Sequence, residues 1–160
     1  MYKVGIIGPE SSGKTTLAKE LAQRYDGVFV PEYAREYMEQ LKRPYTREDV
    51  EHIAHQQIAY LKQMLSTPCD TKDKERIYFF DTELIITKVW FEHKYGSCPE
   101  WLTDALHQYP MDVYLLCAPD IPWQEDPVRE NPDIRQELFE QYEQNIQMLD
   151  IPYYIIRHTT

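Results

Sequence analysis

Residues 8–16 read GPESSGKTT, and no other stretch of the 160-residue chain restricts its folding so tightly. The run before it, Tyr2 to Gly8, is short and apolar. The run after it, Lys14 to Tyr25, switches to helical spacing with Leu17, Leu21 and Ala22 on one face. A strand, a glycine-containing turn and a helix must therefore follow in immediate succession. Gly8, Gly13, Lys14 and Thr15 satisfy the spacing G-x-x-x-x-G-K-[ST], in the strand-to-helix context that gives the pattern its meaning. In such a turn the backbone N–H groups and the helix N-terminus converge on one point and form a nest for an anion. One residue is out of character: the third position of the turn is Glu10, a carboxylate inside an anion cradle.

The rest of the chain repeats the alternation. Val28 to Val30, Ile77 to Asp81, Val113 to Cys117 and Tyr153 to Ile156 are further short apolar runs. Between them lie helical patterns over Glu32 to Leu41, from Thr46 to Pro68, Leu84 to Tyr95, Pro99 to Tyr109 and about Asp133 to Leu149. Thr46 followed three residues later by Asp49 marks a helix start resembling a capping box. Strands apolar on both faces, alternating with helices, predict a parallel sheet covered on both sides. The expected architecture is an α/β three-layer P-loop NTPase fold with a five-stranded parallel sheet, in a single domain over 1–160. Pro119, Pro122, Pro127 and Pro132 fall within one short span, so residues near 119–135 are expected to form a long structured loop able to act as a lid.

Composition narrows the partners. A net charge of −10 disfavours nucleic acid and anionic membranes, which need basic patches, and no apolar run approaches the length of a membrane span. The three cysteines, Cys69, Cys98 and Cys117, form no CxxC pair, which suggests neither a disulfide framework nor a zinc site and points to a reducing, cytoplasmic setting. His52 and His55 lack metal-ligand spacing and read as a polar helix face.

The chemistry follows from the turn. The residues expected to hold the phosphates of ATP are Gly8, Ser11, Ser12, Gly13, Lys14, Thr15 and Thr16, with Lys14 reaching the β and γ oxygens. Thr15 and Asp81, the acid ending the YFFD strand, are the expected ligands of Mg²⁺. Asp81 is followed by Thr82, Glu83 and Leu84 rather than x-x-Gly, and no NKxD occurs, which disfavours a signalling GTPase. An AAA-type ATPase is set aside because it normally needs a larger domain. A small kinase fits, and it needs positive charge over the transferring phosphoryl group; Arg129 and Arg135, flanking the proline-rich loop, are the candidates. After the second strand, VPEYAREY places Glu32 and Arg35 where open α/β sheets bind ligands.

The ordered set GPESSGKTT, PEYAREY, IAHQQIAY, FFDTELIITKVWF and DVYLLCAPDIPWQEDPVR resembles the ribosylnicotinamide (nicotinamide riboside) kinase domain found at the C-terminus of bacterial NadR proteins. The resemblance implies ATP-dependent phosphorylation of the riboside's 5′-hydroxyl to give nicotinamide mononucleotide, with Mg²⁺ required and a small-molecule riboside as partner. It also implies that Gly13, Lys14 and Thr15 bind ATP with its Mg²⁺, that Asp81 lies between metal and acceptor, that Glu32 and Arg35 line the acceptor side and that Arg129 belongs to the lid. An acidic pocket with aromatic walls suits a cationic pyridinium ring, and Tyr33, Tyr37, Trp90 and Trp123 are candidate walls, Trp90 foremost. Glu10 is expected to face the acceptor, against its ribose hydroxyls or its cationic ring. The DNA-binding and adenylyltransferase segments of the multidomain relatives have no counterpart motif here, so neither activity is expected. Two alternatives stay open: a nucleoside or nucleoside-monophosphate kinase similar to thymidylate kinase, and a non-catalytic nucleotide-binding regulator.

Overall fold

The computed structural model describes residues 1–66, 76–120 and 132–157. Five described strands, β1 (Tyr2–Ile7), β2 (Val28–Val30), β3 (Ile77–Asp81), β4 (Val113–Cys117) and β5 (Tyr153–Ile156), form one sheet in the order β2-β3-β1-β4-β5. Every pairing is parallel, with Ile6 opposite both Asp81 and Leu115 at the carboxyl end of the sheet. The described helices are α1 (Lys14–Arg24), α2 (Tyr33–Gln40), α3 (Arg47–Ser66), α4 (Leu84–Tyr95), α5 (Glu100–Gln108) and α6 (Arg135–Leu149). The element order agrees with the sequence pattern. One boundary moves: Pro132–Ile134 is a 3₁₀ turn, and the last helix begins at Arg135 rather than near Asp133.

Residue alternation along the strands explains the layers. Val4, Ile6, Phe79, Val113 and Cys117 point to one side and pack on Ala18 and Ala22 of α1. Ile7, Phe80, Tyr114 and Leu116 point to the other side, into the larger core made with α3, α4, α5 and α6. A sheet buried on both faces cannot offer a polar side chain except at its ends, so the chemistry collects at the carboxyl edge. Gly5 in the central strand gives way to a neighbour: a Cβ there would lie 2.8 Å from Cε1 of Tyr114.

The connection from α2 to α3 is pinned by one buried carboxylate. Asp49 accepts from both guanidinium nitrogens of Arg43 at 2.7 and 2.9 Å, from the Tyr37 hydroxyl at 2.6 Å and from the Thr46 backbone N–H at 2.7 Å. The last bond is the acid half of the capping box that the Thr46–Asp49 spacing anticipates. The guanidinium and the phenol together hold the Asp49 carboxyl well below the usual range. This clamp fixes the face that α2 turns toward α3.

Candidate functional site

The connection leaving β1 runs to β2 at one edge of the sheet, whereas the connection leaving its neighbour β3 crosses β1 to reach β4, so the two run in opposite directions. The loops after β1 and β3 therefore part around a crevice, the place where open α/β sheets bind ligands. A cavity of about 510 Å³ lies there. Its floor is the turn after β1. Gly8 is required because a Cβ would meet the Cys117 carbonyl at 2.7 Å and Ser12 Oγ at 2.9 Å. Gly13 starts α1 with φ 86°, a left-handed conformation that a side chain strains. Glu10, Ser11, Ser12, Lys14, Thr15 and Thr16 all line the cavity. The Lys14 ammonium donates to the loop's own carbonyls, Gly8 O at 3.0 Å and Pro9 O at 3.1 Å, so it lies over the nest.

The Thr15 hydroxyl donates to Asp81 Oδ2 at 2.6 Å, linking the turn to the end of β3. Asp81 is 2% exposed, and its Oδ1 has no hydrogen-bond partner among the described residues. Burial raises the Asp81 pKa, opposed by the Thr15 hydrogen bond and the Lys14 charge. A buried carboxylate with one oxygen spare, beside a hydroxyl, is a hard oxygen donor set of the kind Mg²⁺ takes. These two residues fit that ion.

Glu32 stands at the N-terminus of α2 and also lines the cavity. Desolvation pushes its pKa up to about 6, against the pull of Lys14 and Arg35 and with the push of Asp81 and Glu10. Lys14, Arg35, Asp81 and Glu10 thus all act on this one carboxylate. Arg35 lines the wall as well, with Nε 3.3 Å from Glu39 Oε1 one turn along α2. Arg135, at the start of α6, donates from Nη1 to Ser11 O at 3.2 Å and so crosses to the phosphate turn. Arg129 and Trp123 lie outside the described residues.

The opposite wall comes from α4. Ile86, Thr87, Trp90, His93 and Lys94 line the cavity along one strip of that helix. Trp90 Nε1 donates to the Tyr45 hydroxyl at 3.2 Å, and the two rings meet edge to face at 5.2 Å between centroids. Lys94 Nζ sits 5.4 Å from the Tyr45 ring centroid. Trp90 and Tyr45 thus both line the cavity, whereas Tyr33 is not among the lining residues. The Tyr33 hydroxyl pairs with His52 Nε2 at 3.2 Å, because the Asp49 clamp turns Tyr33 and Tyr37 toward α3 and presents Ala34, Arg35 and Met38 to the crevice. Tyr45, Tyr142, His93 and Lys94 were not singled out by pattern. Tyr142 is 5% exposed in α6, and burial raises its pKa with Glu10 and Glu32 adding to the shift.

The residue that follows β3 has an unusual backbone. Thr82 has φ 75°, a region costly for a β-branched side chain, by about 1–3 kcal/mol. It does not cap the helix, and neither does Asp81. Glu83 is the cap: its Oε1 accepts from the Ile85 backbone N–H at 2.8 Å, and the carboxylate also bonds Tyr114. At 4% exposure, burial pushes Glu83 up to about 7.

Over residues 3–160 the chain matches the family described as AAA domain. The chain belongs to that family. A match filling the chain at this length removes the size argument against an AAA-type protein. Trifunctional NAD biosynthesis/regulator protein NadR of Escherichia coli (strain K12) is 26% identical over 132 residues, 79% of this chain and 30% of that protein. The protein so named from Salmonella typhimurium agrees to the same extent. The chain thus spans 30% of the length of these curated relatives. A NadR protein in complex with NR shares the fold with a TM-score of 0.75 at 23% identity, over 96% of this chain and 43% of that one. A NadR protein in complex with NAD and AMP-PNP gives 0.73 at 23%, over 99% and 44%. Deoxyadenosine kinase from M. mycoides gives 0.63 at 15%, over 96% and 89%. The fold is P-loop kinase-like, and its five-stranded parallel sheet is the one expected from the sequence. No described helix is long and apolar enough to cross a membrane.

Proposed function

We propose that this chain is an ATP-dependent kinase that phosphorylates the 5′-hydroxyl of nicotinamide riboside, giving nicotinamide mononucleotide. The observation that carries the reading is one cavity whose lining brings together Lys14, Thr15, Glu32, Tyr45 and Trp90, with Asp81 bonded to Thr15 and Tyr45 to Trp90. The likeness to a NadR protein in complex with NR supports the choice of acceptor.

In this reading the turn from Gly8 to Thr16 grips the triphosphate through its N–H groups, and Lys14 leaves its loop carbonyls for the β and γ oxygens. Thr15 and Asp81 would hold Mg²⁺, which would supply neutralisation of the phosphate charge. Glu32 accepts the proton of the acceptor hydroxyl as its oxygen bonds to the γ-phosphorus and the bond to the β–γ bridging oxygen breaks. A carboxylate with a pKa near 6 suits that task better than an unperturbed one. Arg135 lies beside the turn to cover the transferred group, with Arg129 proposed as the second cationic cover. The pyridinium ring rests against Trp90 and Tyr45, and Glu10 answers its charge.

The deciding experiment is a coupled ADP-release assay with a panel of ribosides, deoxynucleosides and nucleoside monophosphates. Nicotinamide riboside should stimulate turnover most strongly. Robust stimulation by a deoxynucleoside or a monophosphate, with none by nicotinamide riboside, would replace the assignment; tight ATP binding without turnover on any acceptor would point to a regulator.

A further inference from the structure

Thr82 combines three observations that nothing in the proposed mechanism uses. Its side chain is 7% exposed, its Oγ1 has no hydrogen-bond partner among the described residues, and it lines the cavity. Its backbone is held left-handed from both sides: the Thr82 N–H donates to Ile6 O at 3.0 Å, and the next residue is locked by the Glu83 cap and its bond to Tyr114. A buried polar group left unsatisfied on a strained backbone is costly, and such costs persist where the group meets a ligand.

We infer that Thr82 is an acceptor-binding residue whose hydroxyl hydrogen-bonds a hydroxyl of the substrate at the reacting end of the cavity. Position on the wall separates acceptor from nucleotide. Thr82 lies just before α4 and lines the cavity together with Ile86 and Trp90, which follow each other one turn apart on that helix. The other orphaned hydroxyl of the cavity, Ser12 Oγ, belongs to that turn. Phosphate oxygens only accept, and the turn supplies N–H donors and Lys14 for them. A sugar hydroxyl both donates and accepts, which is what a threonine hydroxyl matches. Thr87, the other threonine on this wall, is already committed, donating to Gln57 Oε1 at 2.7 Å. Thr82 thus stands next to Asp81 in the chain, and its hydroxyl, unlike that of Thr87, has no partner among the described residues.

The inference rests on the kinase reading, and its test is arranged so that the two can fail separately. Thr82→Val keeps the volume, the β-branch and the backbone strain while removing the hydroxyl; Thr82→Ser keeps the hydroxyl and removes the methyl. Steady-state kinetics are measured for both on whichever acceptor of the riboside panel the wild type turns over best, with melting curves alongside. Thr82→Val should lower kcat/KM for the acceptor about tenfold to a hundredfold, leave KM for ATP within about twofold and melt like the wild type, and Thr82→Ser should stay within about threefold of wild type. Three results overturn the inference: Thr82→Val within twofold of wild type, KM for ATP and acceptor rising together, or Thr82→Ser as impaired as Thr82→Val. If the wild type prefers an acceptor other than nicotinamide riboside, the riboside assignment falls while Thr82 is still judged on that acceptor. If no acceptor is turned over, both fall.

Discussion

The Thr15 hydroxyl and Asp81 Oδ2 lie 2.6 Å apart, so the second residue of α1 and the last residue of β3 are joined. The contact depends on topology rather than on sequence proximity. β1 and β3 are hydrogen-bonded neighbours with Ile6 opposite Asp81, and the turn that follows β1 then folds back over the end of β3.

That pairing yields the first prediction. Asp81→Asn keeps an oxygen for the Thr15 hydroxyl but loses the charge, so the fold should hold while Mg²⁺-dependent turnover falls by about a hundredfold or more. Lys14→Ala should lose turnover comparably, with its melting temperature near that of the wild type. Single-turnover phosphoryl transfer with each variant is the measurement; near-normal kcat in either removes the role given to that residue.

Glu32 makes the pH profile informative. A base must be ionised, and Glu32, proposed for that role, has its pKa raised to about 6. The acceptor kcat/KM should therefore be flat above about pH 7, half-maximal near pH 6 and fall about tenfold per unit below that. Glu32→Gln should remove most activity and with it this acidic limb. A profile still level at pH 5 in the wild type would assign proton removal elsewhere.

Glu83 is expected to act on stability with a defined sign. Its folded pKa, about 7, lies above the ordinary carboxyl value, so folding favours its protonated form. The stabilisation is complete below the unfolded value near 4.5 and is lost as pH rises through 7, a swing of roughly 3 kcal/mol. Glu83→Gln stays neutral and can still accept from Ile85, so its stability relative to the wild type should improve between pH 5 and pH 8. Denaturant titrations at the two pH values measure this; a constant difference would mean that the folded carboxyl titrates no higher than the unfolded one.

How much of this was legible beforehand depended on distance along the chain. The turn from Gly8 to Thr16, the five strands and the pairing of Thr15 with Asp81 rest on short patterns that constrain their own neighbourhood. The facing of α2 does not: Tyr33 looked like an acceptor wall by composition, yet the Asp49 clamp to Arg43 and Tyr37, an interaction between elements, rotates it toward His52. Tyr45 and Tyr142 sit in segments without a motif and reach the cavity only through the packing of α3, α4 and α6. In DTE the capping role went to the acid two residues past the strand, because Thr82 takes up a left-handed backbone that no residue-type rule anticipates for a β-branched side chain.

The carboxylate in the phosphate turn is where geometry adds most to pattern. Glu10 lines the cavity, and its charge bears on Glu32 and Tyr142, which belong to the crevice rather than to the nest. It therefore faces the space between α2 and α6, where a triphosphate would be repelled and a cationic ring attracted. A unit charge pair at about 4 Å contributes on the order of 1 to 4 kcal/mol between full and partial solvent exposure. Glu10→Gln should raise KM for nicotinamide riboside about fivefold or more and leave KM for ATP unchanged or lower, since a negative charge beside the turn is removed. The same substitution should weaken the push on Glu32 and move the acidic limb of the pH profile downward. Steady-state titration of each substrate against the other checks both effects; a rise in KM for ATP with the riboside unaffected would place Glu10 on the nucleotide instead.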